Sequence, residues 1–498
     1  MDMQILFESF FLVLSPYNLF FCALGVFSGI LIGALPGLTS TMGVALFIPL
    51  TFTLPPATGL ILLGAIYVGS VYGGSISAII IKTPGTPAAI ITAIDGYELT
   101  QKGQGGRALG ISTISSFFGG LISCFALLLI APPLSKVVLK FGPSEIFFLS
   151  ILGLTVIIGL SKGRMLEGLL AGSLGLLFAT VGTDEISGVY RYTFDNPALF
   201  EGVPLVPAVI GLYSAGQVFA LAEMRRKTIV ADTSKASDRI LPTLDDLKRL
   251  KTIIFTGGII GTIVGIIPGA GVSIGSSISY NTAKSSSRHP ERFGTGIVDG
   301  VAASESANNG VVGGSLIPLL TLGIPGNIVS AIFLGGLIIH GLRPGSELFT
   351  KYASTTYALL LGLFVAHVFM LLLGLAGARY FAKIATFPTA ALAPVILSLS
   401  VIGSYALRNN FFDVWAMLLF GVVGYGLRHL KIPPAPLALG MILGPIAEQE
   451  FRRAMILYRG SFSKMFFRPL SLIIVVFIAF SLLWPYIQDY RTKKNAAS

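Results

Sequence analysis

The chain has 498 residues, of which 53% are hydrophobic and 11% are charged, and its mean hydropathy is +0.83. A soluble domain carries roughly 25% charged residues, so this composition excludes a soluble globular protein. The formal net charge is +11. Because the basic residues cluster in loops between apolar runs, we expect no nucleic-acid partner.

Apolar runs long enough to cross a bilayer recur from one end of the chain to the other. A membrane-spanning helix needs about 20 apolar residues, and this criterion predicts about 11 to 14 spans or half-spans. The sequence therefore predicts an all-α polytopic membrane protein. Runs of this kind lie at 19–35, 119–132, 146–160, 357–376, 414–427 and 470–484.

The N-terminus and the cysteines argue against secretion and metal binding. The first basic residue is Lys82, so the start of the chain lacks the charged region of a cleavable signal peptide. Cys22 and Cys124 both lie in apolar runs, which supports neither a disulfide framework nor a metal site. We expect no metal and no cofactor.

Two basic loops and a basic tail bear on the orientation of the chain. The loop at 225–251 is the densest in Lys and Arg, so the positive-inside rule predicts that it is cytoplasmic. The loop at 452–468 and the tail at 491–494 are both basic, with one apparent span between them. Both cannot be cytoplasmic, and the orientation of the C-terminal region stays open.

The two sides of the 225–251 loop resemble each other. Before the loop, "GILIGALPGLTSTMG" precedes "YVGSVYGGS" and then "IKTPGTP"; after it, "GTIVGIIPGAGVSIG" precedes "ANNGVVGGS" and then "TLGIPGN". Three matches in the same order indicate an internal duplication. We predict two inverted repeats with broken, re-entrant helices. The predicted parts are a first transmembrane repeat at 1–220, a basic linker at 221–251, a second repeat at 252–430, and C-terminal spans with a basic tail at 431–498.

Each half carries two Pro-Gly breaks inside apolar segments. A single break can be a simple kink or a close-packing glycine. Paired interrupted helices in two halves instead indicate the binding site of a secondary transporter near the midplane of the membrane. Free N–H groups of a half-helix bind anions, and freed carbonyl, Ser, Thr and Asn oxygens suit Na⁺. The predicted substrate-site residues are Pro36, Gly37, Thr39, Ser40, Ser75, Thr86, Pro268, Gly269, Ser273, Ser276, Ser315 and Asn327.

One buried segment, "ASESANNGVVGGS" at 303–315, carries an acid. At about 100° per residue, Asn308 and Asn309 lie within about 60° of Glu305, so the three form one polar stripe. Ionisable groups inside membrane segments are costly and usually face a cavity or a partner. We predict that Glu305, Asn308 and Asn309 belong to a coupling-cation site, for Na⁺ or H⁺; a structural glutamate bonded between helices is the alternative.

Three further features of the sequence bear on its function. "GVSIG" at 271–275 fits the G-x-S-x-G pattern of serine hydrolases, so an intramembrane protease using Ser273 and His367 is one alternative function. A passive anion channel is another. Lys82 adjoins a break and could pair with a substrate carboxylate, or it could reach the membrane surface. The mixed charges of 92–110 predict a solvated connecting loop.

Several of these motifs resemble the large membrane subunit of tripartite tricarboxylate transporters. They are "GALPGLTSTMG", "KTPGTPAAIITAIDGYELTQKGQGGRALG", "GIIPGAGVSIG", "ASESANNGVVGGSLIPLLTLGIPG" and "LALGMILGPIAEQEFRRAM". The resemblance extends over nearly the whole chain. Two positions depart from the family pattern: Lys82 stands where a polar uncharged residue is common, and Ser304 where proline often precedes the glutamate.

The resemblance implies ion-gradient-driven uptake of organic carboxylates such as citrate across the bacterial inner membrane. It also implies two partners, a small four-span membrane subunit and a periplasmic solute-binding protein. It leaves the choice among mono-, di- and tricarboxylates open.

Overall fold

The computed structural model describes residues 3–159, 164–184, 186–223, 238–269, 271–384 and 393–480. In this part of the chain, seven helices are long and apolar enough to cross a membrane, and seven shorter apolar helices accompany them. Strand structure in these ranges is limited to one two-residue pair, β1 (Gly182–Thr183) and β2 (Tyr190–Arg191). The prediction of an all-α polytopic membrane protein is confirmed.

Twenty α-helices are described in chain order. They are α1 (Met3–Val13), α2 (Pro16–Ala34), α3 (Ser40–Thr51), α4 (Pro56–Ile81), α5 (Ala89–Gln101), α6 (Gly105–Val138), α7 (Pro143–Gly159), α8 (Met165–Ala179), α9 (Leu205–Ile210), α10 (Gly216–Glu223), α11 (Leu244–Ile266), α12 (Gly271–Ser285), α13 (Val298–Leu322), α14 (Ile328–Ile339), α15 (Ser346–Phe349), α16 (Ala353–Ile384), α17 (Ala393–Arg408), α18 (Phe411–His429), α19 (Ala435–Leu457) and α20 (Phe462–Phe466). A π-helical segment, Gly211–Ala215, joins α9 to α10, and Pro469–Phe480 is also helical.

Glycines set the same close packing in the α2–α4 pair and in the α11–α13 pair. A Cβ atom at Gly29 would lie 2.5 Å from the carbonyl oxygen of Ile66, and one at Gly261 would lie 2.2 Å from that of Ala307. Small residues of this kind let helix backbones approach each other in membranes. The two helix pairs are therefore built on one packing pattern.

The packing also fixes which residues of the two halves correspond. A Cβ at Gly73 would lie 2.5 Å from the Ile30 oxygen, and one at Gly314 would lie 2.4 Å from the Thr262 oxygen. Gly73 thus corresponds to Gly314, whereas matching the two G-G-S patches letter by letter would pair it with Gly313. The sequence comparison is off by one residue here.

Each half begins with a helical hairpin whose tip is a Pro-Gly break. In the first half, the ends of α2 and α3 that are remote from the tip both lie at the start of α4. There the Thr58 hydroxyl donates to Asn18 at 2.6 Å, and Thr51 packs on Gly59. In the second half, α11 and α12 run antiparallel: a Cβ at Gly257 would lie 2.9 Å from the Ser279 hydroxyl. Their outer ends lie at the start of α13.

The central helices α4 and α13 run antiparallel. The Tyr67 hydroxyl lies 3.2 Å from the Ser315 hydroxyl, and Asn308 donates to the Val71 carbonyl at 3.4 Å. Residue numbers along α4 therefore increase in the direction in which those along α13 decrease. As a result, the two hairpins enter the bundle from opposite ends of this central pair.

The remaining helices make contacts in both halves. Helix α5 packs on α4 and also on α12 and α13, while α14 packs on α13 and also on α3 and α4. The long helices behave in the same way, since α6 packs on α11 and α13 and α16 packs on α2 and α4. Helices α7 and α8 pack on α19, and α17 and α18 pack on α9 and α10.

Two predicted boundaries change in the structure. Residues 92–110, expected to form a solvated loop, instead form most of α5 and the start of α6, with Asp95 fully buried. Residues 244–251 of the predicted linker form the first turns of α11, where Thr243 and Asp246 make a capping box. Residues 224–237 of the linker and the basic tail at 481–498 lie outside the described residues.

Candidate ion and substrate sites

The carboxylate of Glu305 lies in the centre of the bundle, fully buried among hydroxyl groups. Thr92 of α5 donates to Oε1, and Ser116 and Ser112 of α6 donate to Oε2 at 3.0 Å and 3.4 Å. Asn308, one turn along α13, donates its amide to Oε1 at 3.4 Å. Three helices therefore aim polar hydrogens at one acid.

A second layer of hydroxyl groups surrounds these residues. Ser75 of α4 lies 2.8 Å from the Ser112 hydroxyl, and Ser304 lies 2.9 Å from that of Thr92. Among the described residues, no Lys, Arg or His pairs with Glu305. An isolated charge is expensive to bury. The carboxylate is thus placed to take up a proton or a small cation.

The two asparagines beside the acid keep unused hydrogen-bonding capacity. Both side chains are fully buried. Oδ1 of Asn308 has no partner among the described residues, and the same holds for both Oδ1 and Nδ2 of Asn309. Buried polar atoms are nearly always hydrogen-bonded, so these oxygens are candidate ligands.

Helix α5 is held over Glu305 by a second buried acid. Oδ1 of Asp95 accepts the N–H groups of Gly294, Gly296 and Ile297 at 2.8 to 3.0 Å. Its Oδ2 accepts the Tyr280 hydroxyl at 2.7 Å. Since Thr92 lies one turn before Asp95, this anchorage fixes the threonine against the carboxylate.

The first hairpin tip contains Pro36 and Gly37, followed by α3. The Thr39 side chain caps α3 by accepting the Met42 N–H at 3.3 Å, and Ser40 begins the helix as a buried residue. The Gly37 carbonyl accepts a hydrogen bond from Gln217 at 2.7 Å. The tip is therefore tied to α10.

The first tip also packs against the break that follows α4. A Cβ at Gly85 would lie 1.8 Å from the Gly33 carbonyl oxygen. Thr86 packs on Gly74, and its buried hydroxyl has no partner among the described residues. These contacts place the end of α2, which leads into the tip, against the break that carries Thr86, a predicted site residue.

The second tip repeats this arrangement. Gly269, next to Pro268, donates its N–H to the Gly326 carbonyl at 2.8 Å, in the break that follows α13. Ser276 on α12 is buried and its hydroxyl has no hydrogen-bond partner within the described ranges, and Ser273 is half-buried.

Asn327 and Ser315 meet through a residue that sequence reasoning missed. Asn327 caps α14 by accepting the Ser330 N–H at 2.9 Å, and it donates to the Tyr67 hydroxyl at 2.7 Å. Tyr67 in turn contacts Ser315. A tyrosine within a run of apolar residues gave no signal of this role.

Lys82 already has a counter-ion. Its ammonium lies 3.3 Å from a carboxylate oxygen of Glu98 and 5.0 Å from the centre of the Tyr97 ring. It occupies the C-cap of α4 with a left-handed φ of 54°, as Gly323 does at the end of α13 with a φ of 72°. Its charge is therefore balanced on the surface of α5.

Ser273 and His367 do not form a catalytic pair. His367 belongs to α16 and faces α6. Its Nδ1 is 2.8 Å from the Leu363 carbonyl oxygen, and its ring packs on Gly120. Ser273 lies on α12, a helix that packs on α5, α11 and α13. Within the described ranges, no hydrogen bond joins the two side chains.

A cavity of about 1150 Å³ adjoins the break after α13. Leu322 and Ile324 line it on one side, and α19 and the 181–205 segment line it on another. None of the described residues of the two hairpin tips lines this cavity. Within the described residues, no group of three or more His, Cys, Asp or Glu side chains could hold a metal ion.

Ion pairs fasten the β-hairpin segment to α19 at this cavity. Asp184 pairs with Arg452 at 2.7 Å, and Arg191 pairs with Glu448 at 2.7 Å. The N–H of Ile186, the Ser187 hydroxyl and Arg452 together hold the pKa of Asp184 well below its usual range. The segment is therefore fixed at neutral pH.

Comparisons with known proteins identify the family. Residues 19–439 match the model of the tripartite tricarboxylate transporter TctA family. The chain is 38% identical over 450 residues to an uncharacterized 52.8 kDa protein in the TAR-I ttuC′ 3′ region of Agrobacterium vitis, covering 90% of this chain and 89% of that protein. It is 34% identical over 235 residues to an uncharacterized protein in the TAR-II ttuC′ 3′ region of the same organism, covering 47% of this chain and 97% of that protein.

No solved structure matches the chain. The family consists of transporters rather than enzymes, which removes the protease alternative. The resemblance inferred from the sequence motifs is confirmed: the chain belongs to the tripartite tricarboxylate transporter TctA family, as a multi-pass membrane protein.

Proposed function

We propose that the protein is the large membrane subunit of a secondary transporter that takes up organic carboxylates across the bacterial inner membrane, driven by a Na⁺ or H⁺ gradient. Its partners would be a small four-span membrane subunit and a periplasmic binding protein that delivers the substrate. Family membership supports the transport class. The observation that carries the coupling to an ion is the buried Glu305, which pairs with no cationic side chain of the described residues.

The two halves would act as inverted repeats. Antiparallel α4 and α13 support this reading, because a two-fold axis along the membrane normal would leave corresponding helices parallel. Hairpins that enter from opposite ends of the central pair support it as well. Such repeats permit alternating access, in which one half moves against the other around a central site.

The coupling ion would bind at Glu305, Asn308 and Asn309. One negative charge, surrounded by hydroxyl and amide groups, becomes neutral when a proton or Na⁺ occupies it. A change in bound charge at this point would bias the contacts among α5, α6 and α13. That bias is what links ion binding to a conformational change.

The substrate carboxylates would bind at the breaks. Each break begins a helix whose first N–H groups carry a partial positive charge. Thr39 and Ser40 stand at the start of α3, Ser273 and Ser276 in the first turns of α12, and Asn327 at the start of α14. Hydroxyl and amide groups at these ends can donate to a carboxylate without a fixed arginine.

Transport in proteoliposomes tests this function. The purified protein, with its small subunit and loaded binding protein, should accumulate substrate only when an inward Na⁺ or H⁺ gradient is present. Collapse of the gradient by an ionophore should abolish accumulation. Equal and poorly saturable fluxes without any gradient would establish the passive channel instead.

Asn308→Ala and Ser273→Ala report on the two proposed sites. Asn308→Ala changes no charge but removes an amide ligand, so we expect weaker dependence of uptake on the coupling ion. Ser273→Ala should raise the KM for substrate by a graded amount. Wild-type kinetics in both variants would remove the assigned sites and leave the transporter class standing.

A further inference from the structure

We infer that Glu305 is the centre of a Na⁺ site whose other ligands are the hydroxyl groups of Thr92 on α5 and of Ser112 and Ser116 on α6, with the side-chain amide oxygen of Asn308 on α13. We call these three hydroxyl groups, together with Glu305 and Asn308, the hydroxyl cage. The role of this ion in transport rests on the proposed function, whereas its binding at Glu305 does not. These ligands select Na⁺ over H⁺ as the ion.

The number of oxygen atoms is the first reason for preferring Na⁺. A proton on Glu305 needs one acceptor, whereas hydroxyls from two helices converge on the carboxylate, and Ser75 adds another at 2.8 Å from Ser112. Hard cations bind sets of carboxylate, hydroxyl and carbonyl oxygens. The hydroxyl cage supplies such a set.

The spacing of these oxygens is the second reason. An octahedral set with metal–oxygen bonds of about 2.4 Å has neighbouring oxygens about 3.4 Å apart. In the hydroxyl cage, Ser116 and Ser112 lie 3.0 Å and 3.4 Å from Glu305 Oε2. The Thr92 hydroxyl lies 2.5 Å from Oε1 and would have to move outward by about 1 Å to reach the octahedral spacing. Small shifts of side chains would therefore convert hydrogen-bonded neighbours into common ligands.

Asn308 provides an independent sign that a ligand belongs here. Its Nδ2 points at Glu305 Oε1, while its Oδ1 is fully buried without a partner among the described residues. Rotation of the amide by half a turn would bring Oδ1 to the carboxylate side, which suits a cation placed between the two oxygens. Without a cation, two acceptors would face each other there.

Charge selects the valence of the ion. Among the described residues, Glu305 is the one carboxylate in the hydroxyl cage, so a monovalent cation gives a neutral buried site. A divalent cation would leave a net positive charge in a fully buried position, which is costly. Ca²⁺ sites usually contain several carboxylates.

The position of the first half that corresponds to Glu305 carries no acid. By the glycine packing this position is Gly64, in contact with Leu359 and Leu363 of α16. A glycine against two leucines offers no side-chain ligand. The hydroxyl cage therefore has no counterpart at Gly64 among the described residues, and we expect one Na⁺ per protein molecule at this level of the bundle.

Direct binding of ²²Na⁺ to the purified protein tests the inference without requiring transport. The expected result is saturable binding of one ion per chain. Thr92→Val and Ser116→Ala should each weaken that binding at least tenfold. Ser115→Ala is the matched control. Ser115 is a buried serine on α6 whose hydroxyl has no partner in the described part of the chain, and its replacement should leave the affinity unchanged.

Three outcomes would overturn the inference. One is the absence of saturable Na⁺ binding in protein that takes up substrate with a proton gradient; the proposed function would then survive with H⁺ as the ion. Another is binding that Thr92→Val and Ser116→Ala leave intact. The third is equal weakening by Ser115→Ala, which would indicate a general loss of packing. Normal Na⁺ binding without Na⁺-driven uptake would instead refute the proposed coupling and support the site.

Discussion

Replacement of Gly314 by alanine should destabilise the protein, because the α11–α13 contact leaves no space for a methyl group. The added Cβ would lie 2.4 Å from the carbonyl oxygen of Thr262 and 3.1 Å from its Cα. Ordinary contacts begin near 3.4 Å, so the two backbones must separate by about 1 Å, which forfeits a quarter to a half of the dispersion energy along the contact. Overpacking of this kind costs typically 1–3 kcal/mol.

We expect a cost near the upper end, about 3 kcal/mol, because the obstructing atoms belong to a backbone and not to a flexible side chain. The assay is the thermal unfolding midpoint of purified protein in detergent. Gly335→Ala is the matched control, since the nearest atom to its added Cβ is 3.9 Å away. A midpoint for Gly314→Ala equal to that of Gly335→Ala would refute the reasoning. Gly73→Ala, at the corresponding position of the first half, should cost as much as Gly314→Ala.

Three smaller changes follow from single contacts. Asp95→Asn should loosen α5, because hydrogen bonds to a charged acceptor are stronger than those to an amide; hydrogen exchange of 89–101 should accelerate while that of α13 stays slow. The pKa of Asp184 in the folded protein lies below the unfolded value of about 3.9, so its contribution to stability is present above about pH 3.9 and is lost as the pH falls through the folded pKa. Hydrogen exchange of 182–202, corrected for intrinsic rates, should therefore not change between pH 5 and 8. The same exchange should become faster in Asp184→Asn. Lys82→Gln should change the KM for substrate less than about fivefold, since exposed ion pairs contribute about 0–1 kcal/mol and Glu98 already balances the charge.

Much of the fold follows from local sequence signals. Proline removes an N–H and glycine permits close approach, so Pro36 and Pro268 mark their breaks wherever the helices pack. The order of the motifs predicts the duplication for the same reason. The register within α4 and α13 could not be read in this way. Gly313 and Gly314 are neighbours on different faces of one helix, and only packing tells which of them meets α11.

The candidate site was predictable only in part. Glu305 and Asn308 are evident because polar residues in an apolar segment are costly. Thr92, Ser112 and Ser116 gave no comparable signal, since hydroxyl side chains are common in spans and usually bond their own helix. Their convergence on Glu305 depends on α5 and α6, which are far away in sequence.

Asp95 misled the sequence reading for a related reason. A charged residue in a mixed segment is most often solvated. Here the backbone N–H groups of Gly294, Gly296 and Ile297 satisfy the carboxylate, and glycines carry no side-chain signal of such a role.

Accumulation of substrate by the Glu305→Gln variant tests the central claim most directly. The variant keeps the shape of the side chain, replaces one acceptor oxygen by an NH₂ donor, and removes the charge that a coupling cation would neutralise. In proteoliposomes with both partner proteins and an inward ion gradient, the wild type should concentrate the substrate, whereas the variant, folded as judged by its unfolding midpoint, should not concentrate it at all. Accumulation by the variant to the wild-type level, with unchanged dependence on the ion, would contradict the account.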